Sequence, residues 1–183
     1  LYWVINKLDN DLRLQNSILG ELNKQLDINI TSSKYILITG HRRENFGKGF
    51  SNIFHAIKEL SNDFPELNFI YPVHLNPKVR VPVSEILGDQ KNVKLIEPQD
   101  YIHFILLLKN CHIVMTDSGG IQEEAPSLGK PVLVLRETTE RPEAVEAGTV
   151  KLVGSSKENI VNELSKLMNN EDIYNRMANS VNP

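Results

Sequence analysis

The sequence predicts an α/β domain in which a parallel sheet lies between two layers of helices. Two observations support this prediction: short apolar segments rich in β-branched residues recur along the chain, and helical patterns separate them. Strands that alternate with helices form strand–helix–strand units, whose strands are parallel and whose helices cover both faces of the sheet. The expected architecture is therefore a Rossmann-like domain with three layers.

Six apolar segments are the predicted strands. They are short and are bounded by glycine, proline or polar residues, as is typical of buried strands. In chain order they are Tyr35–Thr39, Phe69–Val73, Val93–Ile96, Ile113–Thr116, Val132–Leu135 and Val150–Val153.

The segments around these strands carry helical signals. Residues 1–23 form one pattern in which leucines recur at roughly helical spacing, and Phe50–Leu60 has apolar residues on one helical face. Ser155 or Ser156 is a candidate N-cap, with Glu158 in the first turn that follows. The other predicted helices are Tyr101–Asn110, Gly120–Leu128, a short helix that begins at Pro142, and Ser156–Met168.

Length and composition predict one compact domain over residues 1–183, with 40% hydrophobic and 23% charged residues. The net charge of -3 argues against nucleic acid or an anionic membrane as the main partner. The apolar segment Ile102–Leu108 is much shorter than the ~20 residues of a membrane-spanning helix, and no signal peptide is recognisable. The single cysteine, Cys111, fits a reducing compartment, so we expect a cytoplasmic protein. The chain begins at Leu1 without a methionine, which favours a fragment.

The strongest local signal follows the fourth predicted strand. Ser118, Gly119 and Gly120 stand where the strand passes into a helix, and the free N–H groups of a helix start bind anions. Glycine lets a phosphate approach the backbone closely. Glu123 and Glu124 lie one turn further on, where a carboxylate can accept hydrogen bonds from ribose hydroxyls. The alternative is that Ser118 only caps the helix and both glutamates are solvated.

Basic residues follow the first and fifth strands. His41, Arg42 and Arg43 together suit a phosphate, although a solvated loop paired with Glu44 is the alternative. Arg141 can clamp a diphosphate with two hydrogen bonds. The alternative there is a surface salt bridge to Glu140 or Glu143, a contact of little energetic value.

Three further candidates have less local support. His74 follows the second strand, and a lone histidine is more often structural than functional. Gln99 and Phe104 follow the third strand, where they suit recognition of a base edge and a ring, or else a turn and a core aromatic. No histidine or cysteine has metal-ligand spacing, so we expect no metal and no other cofactor. Ser118 also lacks the surroundings of a nucleophilic serine.

Four motifs, in this order, resemble the non-hydrolysing bacterial UDP-N-acetylglucosamine 2-epimerases over about residues 1–170. They are Thr39-Gly-His-Arg-Arg-Glu-Asn, Tyr71-Pro-Val-His-x-Asn, Thr116-Asp-Ser-Gly-Gly-Ile-Gln-Glu-Glu and Thr138-Thr-Glu-Arg-Pro-Glu. The resemblance implies the carboxyl-terminal domain of a two-domain, glycosyltransferase-B-like fold, without its amino-terminal half. Family enzymes interconvert UDP-GlcNAc and UDP-ManNAc for surface polysaccharides, and are commonly homodimers.

The resemblance also implies roles for individual residues. Ser118–Gly120 match the diphosphate-binding loop, Glu124 matches the carboxylate on the ribose, and His41 and Arg141 match residues beside the phosphates. Further matches are Gln99 and Phe104, near the uracil, and Arg42 and His74, which in some members touch a second, activating UDP-GlcNAc.

The implied reaction is an elimination of UDP followed by its re-addition. In the family, the acid and base carboxylates come from the amino-terminal domain, so we expect this chain to bind UDP without turnover. Three alternatives stay open: one half of a glycosyltransferase, a hydrolysing epimerase, and a non-catalytic sensor of nucleotide sugars.

Overall fold

A computed structural model describes all 183 residues and contains one six-stranded parallel sheet. The strands pair in the order β3-β2-β1-β4-β5-β6. This arrangement confirms the predicted parallel sheet and Rossmann-like class. The strands are β1 (Tyr35–Thr39), β2 (Asn68–Pro72), β3 (Val93–Ile96), β4 (Ile113–Thr116), β5 (Val132–Val134) and β6 (Val150–Leu152).

Nine α-helices accompany the sheet. Two short 3-10 turns, Arg43–Asn45 and Pro126–Leu128, lie beside β1 and after α6. None of the helices has the length and apolar character that crossing a membrane requires. The helices are α1 (Tyr2–Asn10), α2 (Leu12–Leu26), α3 (Lys48–Asp63), α4 (Pro77–Leu87), α5 (Tyr101–Asn110), α6 (Gly119–Glu124), α7 (Pro142–Glu146), α8 (Lys157–Asn169) and α9 (Glu171–Ala178).

Both faces of the sheet are buried by helices. Alternate residues of β1 point to opposite sides, so Ile36 and Ile38 join one apolar core while Tyr35 and Leu37 join the other. The first core includes side chains of α3, α4 and α8, and the second includes side chains of α1, α2 and α5. Burial on both faces explains why the strands are continuous apolar segments.

The winding of the chain reverses between β1 and β4, which are neighbours in the sheet. Their last residues, Thr39 and Thr116, are in register, and their hydroxyl oxygens are 2.5 Å apart. In open α/β sheets, ligands bind beyond the carboxyl ends of the strands at such a reversal. The loops after β1 and β4 are therefore the place to look for a site.

The prediction of one helix over residues 1–23 is wrong, because the chain forms α1 and α2 there. Asp11 separates them: its side chain accepts a hydrogen bond of 3.0 Å from the N–H of Leu14 and so caps α2. Leucine periodicity continues across this boundary and conceals it.

Two helices, α4 and α9, are additional to the predicted ones. Pro82 lies inside α4 and removes a helical donor, which weakens the pattern. α9 is only eight residues long and has few apolar residues, none of them fully buried, so its pattern is hard to recognise in the sequence. The predicted helix Gly120–Leu128 is α6 followed by a 3-10 turn that begins at Pro126. β2 lies one residue earlier than predicted, and β5 and β6 each end one residue earlier.

Candidate anion site at the sheet edge

A buried carboxylate joins three loops at the carboxyl edge of the sheet. Asp117 directly follows β4 and is 0% exposed. It accepts hydrogen bonds from the N–H of His41 at 3.0 and 3.2 Å, from the N–H of Arg42 at 2.8 Å and from Asn45 Nδ2 at 3.3 Å. The Asn45 amide also donates to the carbonyl of Leu135, after β5, at 3.1 Å. The loops after β1, β4 and β5 are therefore held together at one point.

The backbone turn after β1 is held from the neighbouring strand. The Tyr71 hydroxyl of β2 donates to the carbonyl of Gly40 at 2.8 Å. A β-carbon at Gly40 would lie 3.3 Å from that hydroxyl oxygen, so a side chain there would press on it. Burial raises the pKa of Tyr71, and the nearby charge of Asp117 raises it further, so the hydroxyl keeps its proton.

The start of α6 presents free donors. The Ser118 side chain makes no capping hydrogen bond, so the prediction of a mere cap does not describe it. The N–H groups of Gly119, Gly120 and Ile121 have no hydrogen-bond partner in the chain. Nothing lies within 4 Å of the position that a β-carbon of Gly120 would occupy. These donors and the positive end of the helix favour an anion in the open space beside them.

Arg42 and two imidazoles lie on the side of this helix start that faces the loop after β1, and the carboxylate of Glu140 also lies close, 3.6 Å from the position that a β-carbon of Gly119 would occupy. The ring of His41 stacks on that of His74, with centroids 5.3 Å apart and planes 12° apart. His41 keeps 46% of its side chain exposed. Arg42 Nη2 lies 3.9 Å from the position that a β-carbon of Gly119 would occupy. The structure thus brings together His41, Arg42 and His74, which are widely separated from Ser118 in sequence.

A buried arginine, Arg136, pairs with Glu44, which could otherwise pair with the basic residues of the loop after β1. Arg136 is 8% exposed and forms ion pairs with Glu44 at 2.5 Å and with Glu140 at 2.7 Å. Hydrogen bonds raise the pKa of Arg136, with the larger contribution from Glu140 and the next from Glu44. The hydrogen bond between Arg136 and Glu140 in turn lowers the pKa of Glu140. Glu44 is therefore engaged by Arg136 and not by the basic residues beside it.

Arg141 lies next to α6. Its guanidinium pairs with Glu123, and its Nη1 donates to the carbonyl of Glu140 at 3.0 Å. Neither Glu140 nor Glu143 is its ion-pair partner, contrary to the surface-bridge alternative. Because Glu123 belongs to α6, the pair holds the Arg141 side chain against that helix.

Glu124 is also engaged and not simply solvated. The Tyr101 hydroxyl, at the start of α5, donates to Glu124 Oε1 at 2.5 Å. Partial burial raises the pKa of Tyr101 to about 12, with further contributions from Glu124. Gln99 lies in the loop before α5 and donates to the carbonyl of Glu97 at 2.7 Å, whereas Phe104 packs partly against the apolar core. The start of α5 thus contacts Glu124, the carboxylate that we expect at the ribose.

Sequence reasoning missed the residues that assemble this edge, foremost Asp117, Asn45 and Tyr101. Asp117 was visible as an acid between a buried strand and a glycine pair, which is a signal for a structural role. The partners of Asn45 and Tyr101 are far away in sequence, so no local signal marked them. No group of three or more His, Cys, Asp or Glu side chains is placed to hold a metal ion.

The fold defines a class: an α/β domain of Rossmann type, with a candidate anion site at the sheet reversal. A family model described as UDP-N-acetylglucosamine 2-epimerase matches residues 4–183. The chain belongs to the UDP-N-acetylglucosamine 2-epimerase family.

Individual relatives agree with this assignment. UDP-N-acetylglucosamine 2-epimerase of Campylobacter jejuni is 50% identical over 183 residues, which are 100% of this chain and 48% of that protein. The crystal structure of the Neisseria meningitidis UDP-GlcNAc 2-epimerase bound to UDP-GlcNAc superposes with a TM-score of 0.92 at 50% identity. That match covers 98% of this chain and 47% of the other. The chain therefore spans about half the length of the curated relatives that it matches.

The fold extends to glycosyltransferases. The carboxyl-terminal domain of a group 1 glycosyltransferase from Francisella tularensis matches with a TM-score of 0.63 at 16% identity, over 86% of this chain and 87% of that one. At this identity the likeness shows the fold alone. It supports the prediction that the domain is one half of a glycosyltransferase-B-like fold.

Proposed function

We propose that this chain is the UDP-binding half of an enzyme that interconverts UDP-GlcNAc and UDP-ManNAc. One observation carries the proposal: unpartnered N–H groups at Gly119, Gly120 and Ile121 lie beside His41 and Arg42 at the sheet reversal. This geometry suits a diphosphate, since backbone donors and cations together bind phosphate oxygens. The family supports UDP-sugar as the ligand, because the Neisseria relative is described as bound to UDP-GlcNAc.

The phosphates occupy the start of α6 in this proposal. Ser118, Gly119 and Gly120 bind the diphosphate, and Arg141 exchanges its pair with Glu123 for phosphate oxygens. His41 approaches from the loop after β1. The exchange is favourable because the pair with Glu123 is partly exposed and so contributes little by itself.

The nucleoside lies toward the start of α5. Glu124 accepts hydrogen bonds from the ribose hydroxyls, as an acidic residue does in dinucleotide sites. Gln99 and Phe104, on the loop and helix that follow β3, contact the uracil. Arg42 and His74 touch a second, activating UDP-GlcNAc, and the whole enzyme is a cytoplasmic homodimer that supplies polysaccharide synthesis.

The reaction is an elimination and a re-addition. A base takes the proton from C2, the C1–O bond breaks with its electrons moving to UDP, and a 2-acetamidoglucal forms. UDP then adds back to C1 after a proton returns to the other face of C2. Here His41, Arg141 and the α6 donors stabilise the negative charge on departing UDP. The acid and base carboxylates belong to the part of the enzyme outside these 183 residues.

Calorimetric titration of UDP into this chain tests the proposal. We expect measurable binding that weakens about tenfold or more in Arg141→Ala and in Glu124→Ala, because each change removes charge-assisted hydrogen bonds worth about 1.5–3 kcal/mol. Arg13→Ala is the matched control, since it deletes an exposed arginine on α2 with no ion pair. It should bind UDP like the unchanged chain.

Two results would contradict the proposal. If the folded chain binds no UDP, the residues at the start of α6 are not a UDP site. Conversion of UDP-GlcNAc by this chain alone would show that its acid and base lie within these residues. For the full-length enzyme, release of free ManNAc would indicate the hydrolysing alternative, and transfer of the sugar to an acceptor would indicate a glycosyltransferase.

A further inference from the structure

Gln122 is a buried polar residue that the binding proposal leaves unexplained. It lies in α6 and is 0% exposed. Its Nε2 donates to the carbonyl of Ser118 at 3.2 Å, and its Oε1 accepts from the hydroxyl of Thr139 at 2.5 Å. The Thr139 oxygen accepts in turn from the N–H of Arg141 at 3.0 Å. We name this series of three hydrogen bonds, from Ser118 through Gln122 and Thr139 to Arg141, the amide relay.

The amide relay links the loops that follow two neighbouring strands, β4 and β5. Ser118 follows β4, whereas Thr139 and Arg141 belong to the segment after β5. The Thr139 hydroxyl acts both as donor and as acceptor: it donates to Gln122 Oε1 and accepts from the N–H of Arg141. The relay therefore holds the backbone of Arg141 at a set position relative to the start of α6.

Other contacts between Arg141 and α6 do not hold its backbone. The pair with Glu123 joins two long side chains, of which the glutamate is 55% exposed. Exposed ion pairs of this type constrain geometry weakly, whereas the partly buried hydrogen bonds of the relay are directional and fix the positions of the atoms that they join. If phosphate replaces Glu123 as the partner of the Arg141 guanidinium, the relay is the contact between Arg141 and α6 that remains.

We propose that Gln122 and Thr139 are positioning residues for the diphosphate site. This inference rests on the proposed function, because it assigns them to the alignment of Arg141 and Ser118 toward the same pair of phosphates. Neither side chain touches the ligand; both act through the two groups at the ends of the relay. Affinity for UDP depends on the relay because misplaced donors lose much of their hydrogen-bond energy.

Thr139→Val and Thr139→Ser form the decisive pair of variants. Valine matches threonine in shape but has no hydroxyl, whereas serine keeps the hydroxyl and loses only a methyl group. We expect Thr139→Val to weaken UDP binding in calorimetry by about fivefold to tenfold, as one or two lost hydrogen bonds would do. Thr139→Ser should stay within about twofold of the unchanged chain.

Gln122→Met and the double variant test whether both residues act in one relay. Methionine is similar in length to glutamine and has neither amide group. In a shared relay, the double variant with Thr139→Val should bind UDP no more than about twofold worse than the weaker single variant. Thermal unfolding of each variant checks that it is folded. If Gln122→Met does not fold, the Thr139 pair still decides.

Each outcome has a distinct meaning. Absence of UDP binding by the unchanged chain overturns the proposed function and the positioning role with it. Unchanged binding by Thr139→Val overturns the positioning role alone. Equal weakening in Thr139→Ser and Thr139→Val shows that the methyl group matters and not the hydroxyl. Additive losses in the double variant show that Gln122 and Thr139 act separately, which also overturns the relay.

Discussion

Asp117 shows how much of the site depends on one side chain. Its carboxylate is fully buried, and burial of a carboxylate is unfavourable unless hydrogen bonds replace water. Here the N–H groups of His41 and Arg42 and the amide of Asn45 supply them. The same contacts satisfy backbone donors in a loop that has no regular structure. The residue therefore organises the candidate site without needing to touch a ligand.

We predict that Asp117→Leu destabilises the fold by about 2–4 kcal/mol. The change leaves the N–H groups of His41 and Arg42 and the buried amide of Asn45 without their acceptor. An unsatisfied buried donor costs about 1–3 kcal/mol, and we expect a smaller cost at His41 and Arg42, which are not buried, because water can replace the carboxylate there. Denaturant unfolding followed by circular dichroism measures the effect. Asp117→Asn is the matched control, since it keeps one acceptor oxygen and should lose less than half as much stability. Equal losses in the two variants would contradict the hydrogen-bonding role.

At the scale of elements, α9 docks on the sheet through one aromatic contact. His112 immediately precedes β4, and its ring stacks on Tyr174 of α9 with centroids 4.2 Å apart. The Tyr174 hydroxyl also donates to the carbonyl of His112 at 3.1 Å. Partial burial, together with the charges of Lys34 and Lys130, lowers the pKa of His112 to about 4. The imidazole of His112 is therefore harder to protonate in the folded chain than in the unfolded chain.

This pKa predicts a pH dependence with a definite sign. Between pH 6.5 and about 4 the unfolded chain binds a proton at His112 and the folded chain does not, so stability falls as the pH falls through this window. Above pH 6.5 both states are neutral at this residue, and its contribution is constant. Because His112 is only half buried, we expect a loss of about 1 kcal/mol and not the full value of the shift.

His112→Phe provides the comparison, because phenylalanine keeps the stacked ring and cannot titrate. Unfolding free energies measured from pH 7.5 to 4 should decline about 1 kcal/mol less in this variant than in the unchanged chain. Parallel curves would show that His112 is equally protonated in both states. Other titrating groups affect both proteins alike and cancel in the difference.

At the scale of the whole molecule, the sheet is shared by two apolar cores. Tyr71 lies in the core beside α3 and α4, while Tyr35 lies in the core beside α2 and α5. Because each central strand contributes side chains to both cores, neither layer can lose its packing while the other keeps it. Small domains with such a shared core unfold in one step.

We therefore predict a single unfolding transition in urea. Far-ultraviolet circular dichroism reports the helices, and the near-ultraviolet signal reports the buried tyrosines of both cores. The two signals should give the same midpoint and the same dependence on denaturant. A near-ultraviolet change at lower urea concentration would mean that one core loosens first.

Local patterns in the sequence were sufficient to predict most strands and helices of this protein. β1, β3, β4 and α5 have the predicted bounds, and the strands were recognisable because a buried strand is a short apolar segment. The glycine pair after β4 indicated an anion site because backbone donors and the absence of side chains are local properties. The same motifs identified the family, which the comparisons confirmed.

Tertiary structure alone decided which side chains meet. Glu123 pairs with Arg141 across 18 residues, and Asp117 binds the N–H of His41 across 76 residues. Such contacts depend on strand order, which brings distant loops to one edge of the sheet, and apolar periodicity does not encode strand order. Local pattern determined that this chain has strands, helices and a glycine pair at a helix start. The sheet reversal between β1 and β4 decided which side chains meet there, because it brings the loops after these strands together.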